Sequence, residues 1–200
     1  MRTLENKFSD LIPTIKPPVD SIEMETTPQW VCHYQTIVVH TEQQNLTALD
    51  HRLADFLIPS DCFYLHDLTK NLQDYVDGIN IQDGTLTLQI LHTSATLIVN
   101  ELDEPMLLMD ILRKLRQLAP KEEQYLHNSP LRIANRCEAD THCDRNGDAH
   151  VKSALFGSPS VTLIIKDGQL LVGEWQKIAL LEFDGPRRRE VIAQVMGLAK

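Results

Sequence analysis

Apolar residues keep no lasting period over the first part of the chain, where Pro13, Pro17, Pro18 and Pro28 interrupt a mostly polar stretch. Residues 1–30 therefore read as an N-terminal extension, and 31–200 as a single domain. From there the pattern changes. HYQTIVVH (33–40) is rich in β-branched and aromatic residues and predicts a strand, and FYLHDLT (63–69) predicts a second, shorter one. Leu68, Leu72, Tyr75, Val76 and Ile79 then recur at helical spacing, which predicts a helix over about 70–79 capped by Thr69. Asp83-Gly84 reads as a turn. After it, TLTLQIL (85–91) alternates Leu86, Leu88 and Ile90 onto one face, and ATLIVN (95–100) continues or follows that strand.

The strongest helical pattern covers 105–118. Pro105 suits the first helical position, Leu107, Leu108, Ile111, Leu112, Leu115 and Leu118 form an apolar stripe, and Pro120 ends it. Residues 121–147 are polar, hold no core element and are longer than most ordered connections, which makes them a candidate for function. A short helix follows over 148–156, closed by Gly157. VTLIIK (161–166), Asp167-Gly168 and QLLVG (169–173) predict a hairpin on a type I′ turn, because both turn positions need positive φ. WQKIALLEF (175–183) and REVIAQVMG (189–197) predict two further strands around the turn DGPRR (184–188). Strands at both ends with helices between them imply an α+β fold, sheets packed together and covered by two or three helices.

The 200 residues are 42% hydrophobic and 24% charged, as expected of a folded globular chain. Lys and Arg number 19 against 28 Asp and Glu, a net charge of −9, so the expected partner is not nucleic acid. A local cationic pocket for a small anion remains compatible with that balance. No apolar run approaches the ~18 residues of a membrane span, and the N-terminus lacks the apolar core of a secretory signal. Cys32, Cys62, Cys137 and Cys143 show no C-x-x-C spacing, which fits reduced thiols and a cytoplasmic location.

Phosphate-binding glycine loops, dinucleotide fingerprints, G-x-S-x-G elbows and H-E-x-x-H helices are all absent. What stands out is a central concentration of His92, His127, His142 and His150 with Cys137, Cys143, Asp144 and Asp148. Imidazoles converging from several elements would hold a metal, whereas spacing alone fits surface histidines equally well. A Cys137/His142/Cys143 zinc site has no fourth ligand at regular spacing. HTSAT (92–96) sets hydroxyls beside a histidine, which suits an anion. Arg187, Arg188 or Arg189 would grip a phosphate, though solvated arginines on a Gly-Pro turn explain the same residues.

Three ordered blocks, LHTSATLIVNE (91–101), HVKSALFGSPS (150–160) and GEWQKIALLEFDGPRRR (173–189), resemble the YjbQ family, commonly described as secondary thiamine-phosphate synthase enzymes. The resemblance covers roughly 31–200, with Asp110 in the intervening helix and His127 in the loop. It implies an α+β, β-sandwich-like fold with helices on one side, assembled as a homotrimer. It also implies a divalent metal, zinc first with manganese or magnesium as alternatives, held by His92, His127 and His150 near a subunit boundary.

Glu101, Asp144, Asn146, Trp175, Gln176 and Arg187 match further recurrent pocket positions. The implied reaction joins a pyrimidine diphosphate to a thiazole phosphate, releasing pyrophosphate. In it His92, Glu101, His150 and Arg187 are the catalytic candidates, Arg187 meeting the negative charge that grows on the leaving group. Thr93, Ser94, Asp144, Asn146 and Gln176 would bind substrate, Trp175 would stack on a heteroaromatic ring, and Glu101 would act as acid/base or orient His92. Two alternatives stand beside it: a metal-dependent hydrolase or lyase on another phosphorylated small molecule, and a non-catalytic trimeric module binding a metal or anion. The sequence departs from the family pattern at Arg145 and Lys177, where glycines are usual, at an apparent insertion over 45–61, and in residues 1–30.

Overall fold

The computed structural model describes residues 29–41, 64–132 and 144–200. The apparent insertion at 45–61, nearly all of the N-terminal extension, and Cys62, Cys137, His142 and Cys143 lie outside the described residues. Cys32 is an exposed free thiol.

The elements run β1 (Trp30–His40), β2 (Tyr64–Asp67), α1 (Thr69–Asp77), β3 (Ile81–Ile90), β4 (Ala95–Asn100), α2 (Pro105–Leu118), a 3₁₀ turn (Leu126–Asn128), α3 (Gly147–Phe156), β5 (Ser160–Lys166), β6 (Gln169–Leu170), β7 (Lys177–Glu182) and β8 (Arg188–Ala199). Two antiparallel sheets result, five strands in the order β1-β8-β3-β5-β6 and three in the order β2-β7-β4. The α+β fold with layered sheets and covering helices is the one expected.

Alternation along β3 explains the first layer. Leu86, Leu88 and Ile90 turn inward with Val191, Ala193 and Val195 of β8 and meet Leu97, Ile178 and Leu180 of the smaller sheet. The smaller sheet is covered on its other face too, where Leu108 and Leu115 of α2 and Ala149 of α3 pack on Ala179, Leu181 and Phe183. Strand β7 is therefore buried on both faces, which is why IALLEF reads as a continuous apolar run. One residue in that run is not apolar: Glu182 is fully buried.

Several boundaries differ from the sequence pattern for identifiable reasons. Asp83-Gly84 is not a turn but lies inside β3, beside a register shift, and Gly84 faces Gly197 of β8. A Cβ at Gly84 would come within 2.2 Å of the Met196 carbonyl oxygen, so this glycine serves close strand approach rather than chain reversal. The predicted hairpin turn does form at Asp167 (φ 53°) and Gly168 (φ 74°), but β6 stops after Leu170. Strand β7 starts at Lys177, leaving Trp175 and Gln176 in a turn where Gly173 N–H donates to Gln176 Oε1. Thr69 does not cap α1. Asp67 Oδ1 accepts from Thr69 N–H, and Thr69 Oγ1 accepts from Ile178 N–H, tying the helix to β7. No helix among the described residues is long and apolar enough to cross a membrane.

Candidate functional site

Four connections meet at one end of the sandwich: the β3–β4 loop, the 3₁₀ turn, the start of α3 and the β7–β8 loop. The start of α3 is held close by Gly147, where a Cβ would lie 2.6 Å from Tyr125 Cβ, and Gly147 N–H donates to Asn128 Oδ1. This packing sets His127 against His150, ring centroids 4.7 Å apart and planes inclined at 62°.

Hydrogen bonds decide which nitrogens carry protons. Asn146 Nδ2 donates to Asp184 Oδ2, because a carboxylate only accepts, so Asn146 turns its oxygen to His127 Nε2 at 3.2 Å. The proton of His127 is therefore on Nε2. His150 Nδ1 faces the Thr93 carbonyl oxygen at 3.2 Å, which places its proton on Nδ1. The other nitrogens, His127 Nδ1 and His150 Nε2, are left as basic lone pairs. The His127 pKa is lowered, chiefly by burial and further by Arg132 and by His150.

Arg187 anchors the rim. It donates to Asp144 Oδ2 at 2.6 Å, sits 2.9 Å from Asp184 Oδ2, and gives its Nε–H to the Asp184 carbonyl. Burial would lower its pKa, but Asp184 and Asp144 outweigh burial and raise it, so it stays a cation. Thr41, directly after β1, clamps the Arg187 backbone: Thr41 N–H donates to the Arg187 carbonyl and Thr41 Oγ1 accepts from Arg187 N–H. Arg132 reaches in from beyond the 3₁₀ turn to the carbonyls of His127 and Asp144.

His92 points elsewhere. Its Nε2 accepts the Glu190 N–H at 2.9 Å, and its pKa is lowered, first by burial and then by Arg189. Ser94 is buried, and its Oγ accepts from Arg189. The structure thus brings together His127, His150, Thr93, Asp144, Asn146 and Arg187, with Ser94 directly beneath. Glu101, Trp175 and Gln176 sit apart. Ala95 pairs with Glu182 and Asn100 with Lys177, so these three lie near the opposite end of β4 and β7. Five residues of strand, at ~3.4 Å each, make that separation roughly 17 Å.

A metal held by His92, His127 and His150 would have to take His92 through Nδ1, because its Nε2 accepts the Glu190 N–H. No group of three or more His, Cys, Asp or Glu among the described residues is placed to hold a metal ion. Sequence reasoning passed over Thr41, Arg132, Glu182 and Asp184. Only Glu182 had a local signal, as a charge inside an apolar run.

Comparison with known proteins agrees with the blocks that carry the resemblance. The profile of the family described as "UPF0047 protein YjbQ-like" matches residues 58–198. The UPF0047 protein MJ1081 of Methanocaldococcus jannaschii is 37% identical over 133 residues, covering 66% of this chain and 85% of the relative. UPF0047 protein YugU of Bacillus subtilis is 31% identical over 131 residues, covering 66% and 88%. Among solved structures, a YbjQ-like protein of unknown function from Sulfolobus solfataricus superposes with a TM-score of 0.65 at 25% identity, covering 84% of this chain and 99% of that one. An uncharacterised YjbQ/UPF0047 protein from Clostridium acetobutylicum gives 0.60 at 27% identity, covering 80% and 98%.

Proposed function

The chain belongs to the YjbQ-like UPF0047 family, and on that premise we propose that it is a transferase of thiamine-phosphate-synthase type acting at the His127–His150 end of the sandwich. The observation that carries this reading is the pair of contacting imidazoles linked through Asn146 and Asp184 to the Arg187 cation, a set suited to a departing anion.

In the proposed reaction the thiazole ring nitrogen attacks the methylene carbon of the pyrimidine diphosphate. The C–N bond forms as the C–O bond breaks, and pyrophosphate leaves with the electron pair. The product is a thiazolium cation, so no proton has to be removed from either substrate. The demand on the protein is to receive negative charge on the departing oxygens. Arg187 meets it as a cation, and His127 Nδ1 and His150 Nε2 would meet it only on gaining a proton, because the other N–H of each ring is held by Asn146 or by the Thr93 carbonyl. Asp144 is the more exposed of the two carboxylates on Arg187, with a side chain 46% exposed against 19% for Asp184. It is the partner that a substrate phosphate would displace. Trp175 is 65% exposed at the far end of β7. It stacks on a substrate ring only if a second copy of the chain brings it there, as the implied homotrimer would.

The test incubates the full chain with both substrates, alone and with added Zn²⁺, Mn²⁺ or Mg²⁺, and follows thiamine phosphate and pyrophosphate. Turnover is expected, falling about 100-fold or more in His150→Gln if this residue assists the leaving group. Absence of turnover under every condition, or an unimpaired His150→Gln variant, sinks the proposal. Faster turnover of unrelated phosphoesters would move the assignment to a hydrolase or lyase. Binding of pyrophosphate without turnover would move it to a non-catalytic anion-binding module.

A further inference from the structure

Glu182, Arg189 and Ser94 form a buried polar cluster that the reaction itself does not use. Their residues are 0%, 6% and 5% exposed, beside a core made mainly of aliphatic side chains. Arg189 Nη2 donates to Glu182 Oε1 at 2.7 Å and to Ser94 Oγ at 2.8 Å, and Arg189 Nε donates to Glu182 Oε2. Replacing such a pair with apolar groups of equal volume is often neutral or stabilising, because the Coulomb attraction mainly offsets desolvation. Stability alone is therefore a poor account of its presence here.

Its geometry offers a better one. The β3–β4 loop is held along its whole length by consecutive positions of β7 and β8. Leu91 N–H donates to the Glu190 carbonyl, and Glu190 N–H donates to His92 Nε2. Ser94 receives Phe183 N–H on its carbonyl and Arg189 on its hydroxyl. Between these fixed points stands Thr93, whose carbonyl oxygen takes the Nδ1 proton of His150.

We infer that Glu182 and Arg189 are positioning residues: by clamping Ser94 they aim the Thr93 carbonyl and so hold His150 with its proton on Nδ1. The inference rests on the reading of His150 as a working group, but its test does not depend on turnover. With the clamp intact, His150 presents Nε2 to the site. With the clamp released, the carbonyl swings away and the ring is free to carry its proton on either nitrogen.

The experiment labels the histidine ring nitrogens of the full chain with ¹⁵N and reads which one bears the proton, at a pH well above the ordinary imidazole value. His150→Gln identifies the signal. In the native protein the Nδ1–H form is expected to dominate. In the double variant Glu182→Leu/Arg189→Met, chosen to keep the volume apolar, the Nε2–H form is expected to rise several-fold while the thermal midpoint is kept. Should the double variant not fold, Ser94→Ala removes only the link, and a smaller shift in the same direction is expected. A folded variant with native proton placement overturns the inference, since backbone bonds alone would then be enough to hold the loop. So does a native His150 with its proton mainly on Nε2. Failure of the synthase reading would appear in the turnover assay and leave this measurement unaffected.

Discussion

The two ends of β7 are finished in opposite ways. At its C-terminal end Glu182 is fully buried against Arg189, and the following loop carries Asp184 and Arg187 into a continuous network reaching Asp144, Asn146 and His127. At its N-terminal end Trp175 is 65% exposed, and Gln176 folds back on the Gly173 backbone. The same strand is thus closed by polar bonding at one end and left with an uncovered aromatic at the other. Buried charges must be partnered within the chain, or they unfold it. An exposed indole carries no such demand, which leaves it available to another molecule.

That contrast makes predictions of graded size. The largest effect belongs to Glu182→Ala, which strands the Arg189 charge in the core and is expected to destabilise by about 3–5 kcal/mol in urea unfolding. A loss below ~1 kcal/mol would mean that Arg189 escapes to water and that the cluster is not closed.

A pH effect comes next. His92 and His127 both have lowered pKa values, with burial the leading cause in each. The unfolded chain therefore takes up more protons than the folded one as pH falls. The stability these groups contribute is complete above the ordinary imidazole value of about 6.5, declines below it, and is lost once the folded-state values are passed. Urea midpoints should fall between neutral and mildly acidic pH, less steeply in His92→Gln/His127→Gln. Equal slopes for the two proteins would remove these histidines as the cause.

The smallest effect is expected at the open end. Trp175→Ala should leave the stability of an isolated chain within about 0.5 kcal/mol. If instead it dissociates an assembly seen by light scattering, the exposed end of β7 is a contact between copies, as the proposed function requires.

Much of the fold was readable because it follows periodicity. The alternation of Leu86, Leu88 and Ile90 survives as a core face, and so do Leu108, Ile111 and Leu115 of the α2 stripe, whereas Leu118 at its end is exposed. The turn at Asp167-Gly168 was readable because positive φ is a local demand. The same dipeptide at Asp83-Gly84 misled, since the requirement there is distance to a strand more than a hundred residues away. The site divides along the same line. Histidines at 127 and 150 stand out by composition, but their contact depends on the fit of Gly147 against Tyr125, and the proton positions depend on Asn146, Asp184 and Thr93. His92 carries the same sequence signal yet turns to Glu190.

The amino-acid order by itself determined the α+β class, most of the aliphatic core faces, and the family, because burial patterns and ordered blocks are properties of the chain read locally. Which histidines meet, which carboxylates neutralise Arg187, and that Trp175 lies far from both were decided only by the tertiary structure. Hydrogen bonds and ion pairs act over about 3 Å, and no sequence spacing states which groups the packed sheets will bring within that range.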